Sequence, residues 1–321
     1  MTAPAKSLDR APVSDDRQVG LVGIGLVGTA LAERLLGAGY RVVGFDILPE
    51  RCRALESLGG QAADHAAAVA DQCRTVFLSL MTSDTVRQVV CGNGGLLEAA
   101  TPPGTVIDTT TGDPDAVAAL GALLAERGIA YLDATLSGSS QQVRDGEAVL
   151  MVGGDAAAYE SCGSLLDVIA ARRFHLGPAG SGSRAKLATN LALGLNRLAL
   201  AEALVFADGL GLDRAAFLEL LVETPAYSRQ MDNKGPKMAA GDFTPQARLA
   251  QHAKDVDLIL ETAGREGVYL PASRLHQALL RAAIEAGDGD LDNSAILRQL
   301  ERLQGTDNDK GERQHHAPRT G

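Results

Sequence analysis

The sequence predicts an α/β protein in which a doubly wound sheet fills the N-terminal half and an all-α C-terminal domain follows, joined by a long interdomain helix. Three observations carry that reading. The chain has 321 residues, enough for about two domains at roughly 150 residues each. Short β-branched runs alternate with Ala/Leu-rich stretches through the first half, the pattern of strands apolar on both faces and covered by helices. From about residue 180 that alternation stops and a helical period replaces it.

In chain order, residues 1–17 are polar and rich in Pro and Ala and are expected to form a disordered tail. Strands are expected at VGLVG (19–23), RVVGFD (41–46), TVFLSL (75–80), TVIDTT (105–110), AYLDAT (130–135) and AVLMVGG (148–154), with helices between them, in a cofactor-binding domain of residues 18–179. The run SRAKLATNLALGLNRLALAEALVFADGLGL carries Ala and Leu on several faces and predicts a long, deeply buried helix. Further helices are expected over 213–222, 245–266 and 272–286, with a shorter one near 294–303, in an all-helical substrate and oligomerisation domain of residues 180–304. Residues 305–321 hold Ala317 as their only apolar residue and are expected to form a second disordered tail, in which His315 and His316 are solvated. No internal repeat is apparent.

Composition removes several function classes. Apolar residues make up 45% and charged residues 22%, near the average for a soluble globular protein. Aromatics are 3% with no Trp, so base-stacking platforms are lacking. A formal charge of −10 gives no global positive field for nucleic acid or anionic membranes, so neither is an expected partner. Four cysteines without a CxxC pair do not make a disulfide framework, and the N-terminus has no apolar signal core, so a cytoplasmic location is expected. His65, His175, His252 and His276 lack metal-ligand spacing, and no metal is expected.

The most specific string is Gly23-Ile24-Gly25-Leu26-Val27-Gly28, a G-x-G-x-x-G directly after the first strand and opening a helix. The first glycine permits the tight turn, the second lets a pyrophosphate approach the backbone, and the third lets the helix close on the strand. Asp46 ends the second strand 18 positions after Gly28, where its carboxylate can accept from both ribose hydroxyls and repel a 2′-phosphate. The cofactor expected is NAD; Arg51 and Arg53 keep NADP open.

Three further strings bear on chemistry. Residues 133–140 (DATLSGSS) follow a strand and read equally as a plain turn or as hydroxyl and N–H groups able to hold a carboxylate. Residues 177–190 (GPAGSGSRAKLATN) lead into the long helix, and Lys186 and Asn190, four apart, share one of its faces. Taken alone, Lys186 reads as a lysine reaching solvent or as a partly buried general base. In HAKDVD (252–257), Lys254 is either an exposed charge or a cofactor contact.

In this order the strings, with Asp108-Thr109-Thr110-Thr111 between the first two and Asp255 after Lys254, resemble the β-hydroxyacid dehydrogenase family over about residues 18–303. These are 3-hydroxyisobutyrate dehydrogenase-like proteins of the 6-phosphogluconate dehydrogenase superfamily. The resemblance implies an N-terminal Rossmann domain, a helical C-terminal domain, homodimers or homotetramers, and hydride transfer between a nicotinamide and a small anionic 3-hydroxy acid. It implies that Lys186 is the catalytic acid/base, that Ser137, Gly138, Ser139 and Asn190 bind substrate, and that Leu80, Met81, Thr111 and Lys254 touch the cofactor beyond the glycine loop. Imine reductases of the same architecture and non-catalytic dinucleotide-binding platforms generally lack that lysine. The family string reads closer to D-A-P-V-S-G-G; here Thr135 and Leu136 replace Pro-Val, Ser139 replaces the second glycine, and Ala247 stands where an aromatic residue is frequent. These departures leave the identity of the acid open.

Overall fold

The computed structural model describes residues 17–314, of which 306–314 are described by their backbone alone. All but Arg17 of the expected N-terminal tail lies outside the described residues; of the expected C-terminal tail, residues 305–314 are instead helical, and 315–321, with His315 and His316, lie outside the described residues. The chain forms two compact units, one ending at Ser183 and the next beginning at Arg184.

The first unit is built on an eight-stranded sheet of order β3-β2-β1-β4-β5-β6-β7-β8. Its strands are β1 (Gln18–Val22), β2 (Arg41–Phe45), β3 (Gln61–Ala62), β4 (Thr75–Leu78), β5 (Thr105–Asp108), β6 (Ala130–Ser137), β7 (Val149–Gly154) and β8 (Arg172–His175). Its helices are α1 (Leu26–Gly37), α2 (Pro49–Ser57), α3 (Ala66–Ala70), α4 (Ser83–Cys91), α5 (Pro114–Ala125), α6 (Ser140–Arg144), α7 (Ala156–Ser161) and α8 (Gly163–Ile169). Alternate residues of each central strand feed opposite faces. Leu21, Phe77, Ile107 and Leu132 join one apolar cluster with α1, whereas Val22, Val76, Leu78 and Val106 join another with α3, α4 and α5. Short polar residues set the helix starts: the side chains of Thr82, Asp113, Ser139 and Asp155 each accept a first-turn amide.

Two features depart from the expected parallel sheet. Strands β1 to β6 are parallel, but β7 runs antiparallel to β6, and β8 pairs parallel with β7. The reason is length. The only helix between β6 and β7 is the five-residue α6, about 7 Å long, which cannot carry the chain back along an eight-residue strand of about 26 Å. The short strands β3 and β8 escape sequence reading because β3 has only two residues and β8 (RRFH) has no apolar alternation.

Helix α9 (Ser181–Gly209) starts in the first unit and runs through the second. The second unit continues with α10 (Arg214–Val222), α11 (Arg229–Ala240), α12 (Leu249–Arg265), α13 (Pro271–Glu285) and α14 (Ile296–Gln314). By length and composition α9 is apolar enough to cross a membrane. It is a core helix: Leu200, Ala201, Leu204 and Val205 pack with Leu249, Val256, Leu280 and Ile296, and Lys186, Asn190 and Arg197 are buried as well. Helix α14 continues beyond Gln304, where the helical domain was expected to end, because propagating an existing helix adds one backbone bond per residue fixed.

The same core buries two imidazoles, His252 and His276, whose ring centroids lie 5.2 Å apart. Desolvation and the Arg197 charge push His276 down to about 4, and His252 falls well below its ordinary 6.5, chiefly through desolvation. Because the folded state holds both rings neutral, this contribution to stability is complete above about pH 6.5 and is lost as pH falls toward 4. For His276 the loss amounts to about 3 kcal/mol. Urea unfolding at pH 7 and pH 4 is expected to show that fall in the unmodified protein and a flatter profile in His276→Gln; an unchanged profile would remove the imidazole from the account.

Candidate active site

The chain leaves β1 at Val22 and turns through Gly23 to Gly28 into α1. The Gly23 amide donates to the Phe45 carbonyl at 2.9 Å. Gly23 has φ +93°, and a Cβ there would stand 2.3 Å from the Ser79 carbonyl oxygen; a Cβ at Gly28 would stand 2.1 Å from that of Gly23. Strand, turn and helix are thus packed backbone against backbone, which only glycine allows. Gly25 is open, its nearest neighbour being Arg51 Nη1 at 4.0 Å. It is the N-cap of α1, with no capping side chain and no acidic residue in the first turn, so the positive helix end remains available to an anion. Ile24 is buried, Val27 packs against the core and Leu26 is half exposed.

Asp46, 7% exposed, directly follows β2 beside this loop. Its Oδ2 accepts from the Ile24 amide at 2.7 Å and from Arg51 Nη1 at 3.2 Å, and its Oδ1 accepts from the Leu48 amide at 3.0 Å. The Ile24 amide therefore orients the acid. Leu80 and Met81 follow β4, with the Leu80 amide donating to Thr110 Oγ1 at 3.1 Å and Met81 mostly exposed. Thr111 follows β5, and Ser137, Gly138 and Ser139 end β6. All these positions lie at the carboxyl edge of the parallel strands. Strand order reverses between β1 and β4, where open α/β sheets place their ligands.

The β6 loop distributes its groups unevenly. Ser139 caps α6: its Oγ accepts from the Gln142 amide at 3.2 Å, and its own amide donates to Gln142 Oε1 at 2.9 Å. The Ser137 hydroxyl makes no hydrogen bond among the described residues. Thr135 is fully buried, its hydroxyl directed at the carbonyls of Met151 (3.3 Å) and Gly182 (3.1 Å), and Leu136 is in the core. Two of the departures from the family string thus serve packing, and the third closes a helix end. Asp133, earlier on β6 and 1% exposed, accepts from the amides of Gly180 (3.1 Å) and Ser183 (2.8 Å) at the start of α9. Burial raises its proton affinity against the pull of those bonds.

In the second unit, Lys186 and Asn190 lie on one face of α9 and Lys254 on α12. One carboxylate joins them. Asp255 Oδ2 accepts from Asn190 Nδ2 at 3.0 Å, and its Oδ1 stands 3.1 Å from Lys254 Nζ. Lys186 is 9% exposed and donates no hydrogen bond among the described residues. Burial lowers its proton affinity, the Asp255 charge opposes that, and the Lys254 charge adds to it.

Comparison with known proteins fits this geometry. The profile of the NAD binding domain of 6-phosphogluconate dehydrogenase matches residues 18–177, and that of the NAD-binding region of NADP-dependent 3-hydroxyisobutyrate dehydrogenase matches 180–300. The chain is 31% identical over 283 residues to an L-threonate dehydrogenase of Cupriavidus necator, covering 88% of this chain and 95% of that protein. It is 32% identical over 290 residues to a 2-(hydroxymethyl)glutarate dehydrogenase of Eubacterium barkeri, covering 90% and 96%.

The chain belongs to the β-hydroxyacid dehydrogenase family. A crystal structure of a 3-hydroxyisobutyrate dehydrogenase from Salmonella typhimurium superimposes on this β-hydroxyacid dehydrogenase with a TM-score of 0.78 at 27% identity, over 88% of this chain and 99% of that one. The fold is accordingly a Rossmann domain followed by a helical domain, and the cofactor is NAD(P). The residues present fit it: an open Gly25, an uncapped helix start and a fixed carboxylate just after the end of β2 beside the glycine loop. The sequence places Lys186 and Asn190 on one helix face but leaves Lys254 apart from them and gives Asp255 no role. Its adjacency to Lys254, one helical turn from His252 on the buried side of α12, was the available signal.

Proposed function

We propose that this β-hydroxyacid dehydrogenase is an NAD-preferring oxidoreductase acting on a small 3-hydroxy acid, with Lys186 as general acid/base. The observation that carries the proposal is Lys186 itself, a nearly buried lysine whose ammonium donates no hydrogen bond among the described residues and whose proton affinity is lowered. A solvent-exposed lysine would be protonated at neutral pH and useless as a base. In oxidation, neutral Lys186 Nζ takes the substrate hydroxyl proton while the carbon gives up hydride and its C–O bond becomes a carbonyl; in reduction the charged lysine returns the proton. Bound NAD(P) supplies the hydride acceptor or donor. Asn190, held through Asp255, orients the substrate, and the Ser137 hydroxyl with the Gly138 amide binds its carboxylate. Ser139 contributes by fixing the loop. We assign the enzyme to the cytoplasm and to a homodimer or homotetramer.

The experiment is reduction of NAD and, separately, of NADP over a panel of 3-hydroxy acids including hydroxyisobutyrate, glycerate, threonate and serine. Turnover of at least one acid with NAD is expected, and silence across acids of every size with cofactor bound would overturn the proposal. For the NAD preference, Asp46→Ser is expected to raise the NADP/NAD ratio of kcat/KM by about tenfold or more, because it removes the charge facing a 2′-phosphate and releases Arg51. Faster turnover with NADP in the unmodified enzyme would remove the role given to Asp46.

A further inference from the structure

We propose that the helical unit holds a small monovalent inorganic anion of the halide class, bound by the Arg197 guanidinium and the Nε2 atoms of His252 and His276. Lys186, Asn190, Gly194 and Arg197 are spaced four, four and three along α9 and so share one face. Over that face stand His252 from α12 and His276 from α13. A Cβ at Gly194 would lie 2.7 Å from His252 Nε2 and 2.9 Å from His276 Cε1, so both rings rest on the bare helix backbone. Arg197 is near enough to depress the proton affinity of both rings.

Each of these groups is unsatisfied. Arg197 is 1%, His252 6% and His276 2% exposed. Arg197 Nε and Nη2 and both imidazole Nε2 atoms are buried without a hydrogen-bond partner among the described residues. Buried polar groups are rarely left so, and several converging at one place point to a shared ligand.

The charges decide its sign. Asp292 and Lys234 also face Arg197, but Asp292 receives Lys234 Nζ on both oxygens at 2.9 Å, together with the amides of Gln246, Ala247 and Ser294. That pair is neutral. Lys186 adds positive potential at His252. One buried positive charge is left without a counter-charge, a large desolvation cost. Loss of its proton does not relieve this, because burial lowers Arg197 only to about 10. Guanidinium is a donor with no acceptor, and a neutral imidazole in its Nε2–H tautomer donates as well. A metal cation is repelled, and a water satisfies the donors but not the charge.

The deciding experiment is a crystal of the unmodified protein grown in sodium bromide, with data collected at the bromine absorption edge. An anomalous peak in contact with Arg197 Nε or Nη2 and an imidazole Nε2 is expected; a water there, or no peak, overturns the proposal. In solution, Tm is expected to rise saturably with bromide by about 5 °C relative to gluconate at matched ionic strength. Arg197→Met is expected to lose that rise, and His276→Gln, which keeps the guanidinium, to weaken it at least threefold in half-saturating concentration. Equal Tm in the two salts overturns the proposal.

Discussion

Lys186→Met is expected to lower kcat for hydroxy-acid oxidation by about 10³-fold while leaving NADH affinity within about twofold, as read by steady-state kinetics and fluorescence titration. The size follows from what is removed. Methionine nearly matches the lysine stem in volume, so packing of the buried face of α9 is retained, and the side chain loses only its proton acceptor. The pH profile of the unmodified enzyme supplies the second half of the test. Burial and the Lys254 charge lower the proton affinity of Lys186 below the ordinary 10.5, against the opposing Asp255 charge. Oxidation needs the neutral amine, so its rate is expected to rise with pH to a plateau whose midpoint lies below 10.5. The methionine variant is expected to lose that limb. A variant that keeps the limb at full rate would move the base to another residue.

Gly23→Ala is expected to destabilise the first unit by about 3 kcal/mol or more and to weaken NADH binding by at least about tenfold. Its φ of +93° is strained for alanine, and the new methyl would meet the Ser79 carbonyl oxygen at 2.3 Å. That oxygen is backbone rather than a flexible side-chain end, so relief requires β1 and β4 to separate at the loop that receives the pyrophosphate. Gly25→Ala is the internal control, since its Cβ would meet only the end of Arg51 at 4.0 Å. That variant is expected to fold normally and to lose cofactor affinity alone. Equal stability of both variants would show that the turn tolerates a side chain.

The parts of this enzyme legible in its sequence are those in which periodicity and position carry the same information. The six strands expected from β-branched runs are present, and Gly23, Asp46, Leu80, Thr111 and Ser137 all fall at strand carboxyl ends. Orientation and short elements were illegible because they depend on connection geometry, as the reversal of β7 after α6 shows. Helix α11 was missed because Gly235-Pro236 reads as a break; in the structure a Cβ at Gly235 would stand 2.7 Å from Leu218, so the glycine admits α10. In the site, sequence placed Lys186 and Asn190 on one face. It could not show that Asp255 bridges Asn190 to Lys254, nor that Thr135 and Leu136 point into the core, because both depend on partners distant along the chain.

The two amides of Gly180 and Ser183 clamped by Asp133 bear on how this family can change without losing its chemistry. The clamp lies three residues before Lys186, about 4.5 Å of helix rise, so the azimuth of the lysine is set downstream of the linker after β8. Insertions or deletions in 176–179 are then absorbed as slack in a surface turn, whereas one inserted between 183 and 186 would rotate the lysine by about 100°. Evolutionary drift in linker length is thereby decoupled from the orientation of Lys186 about the helix axis.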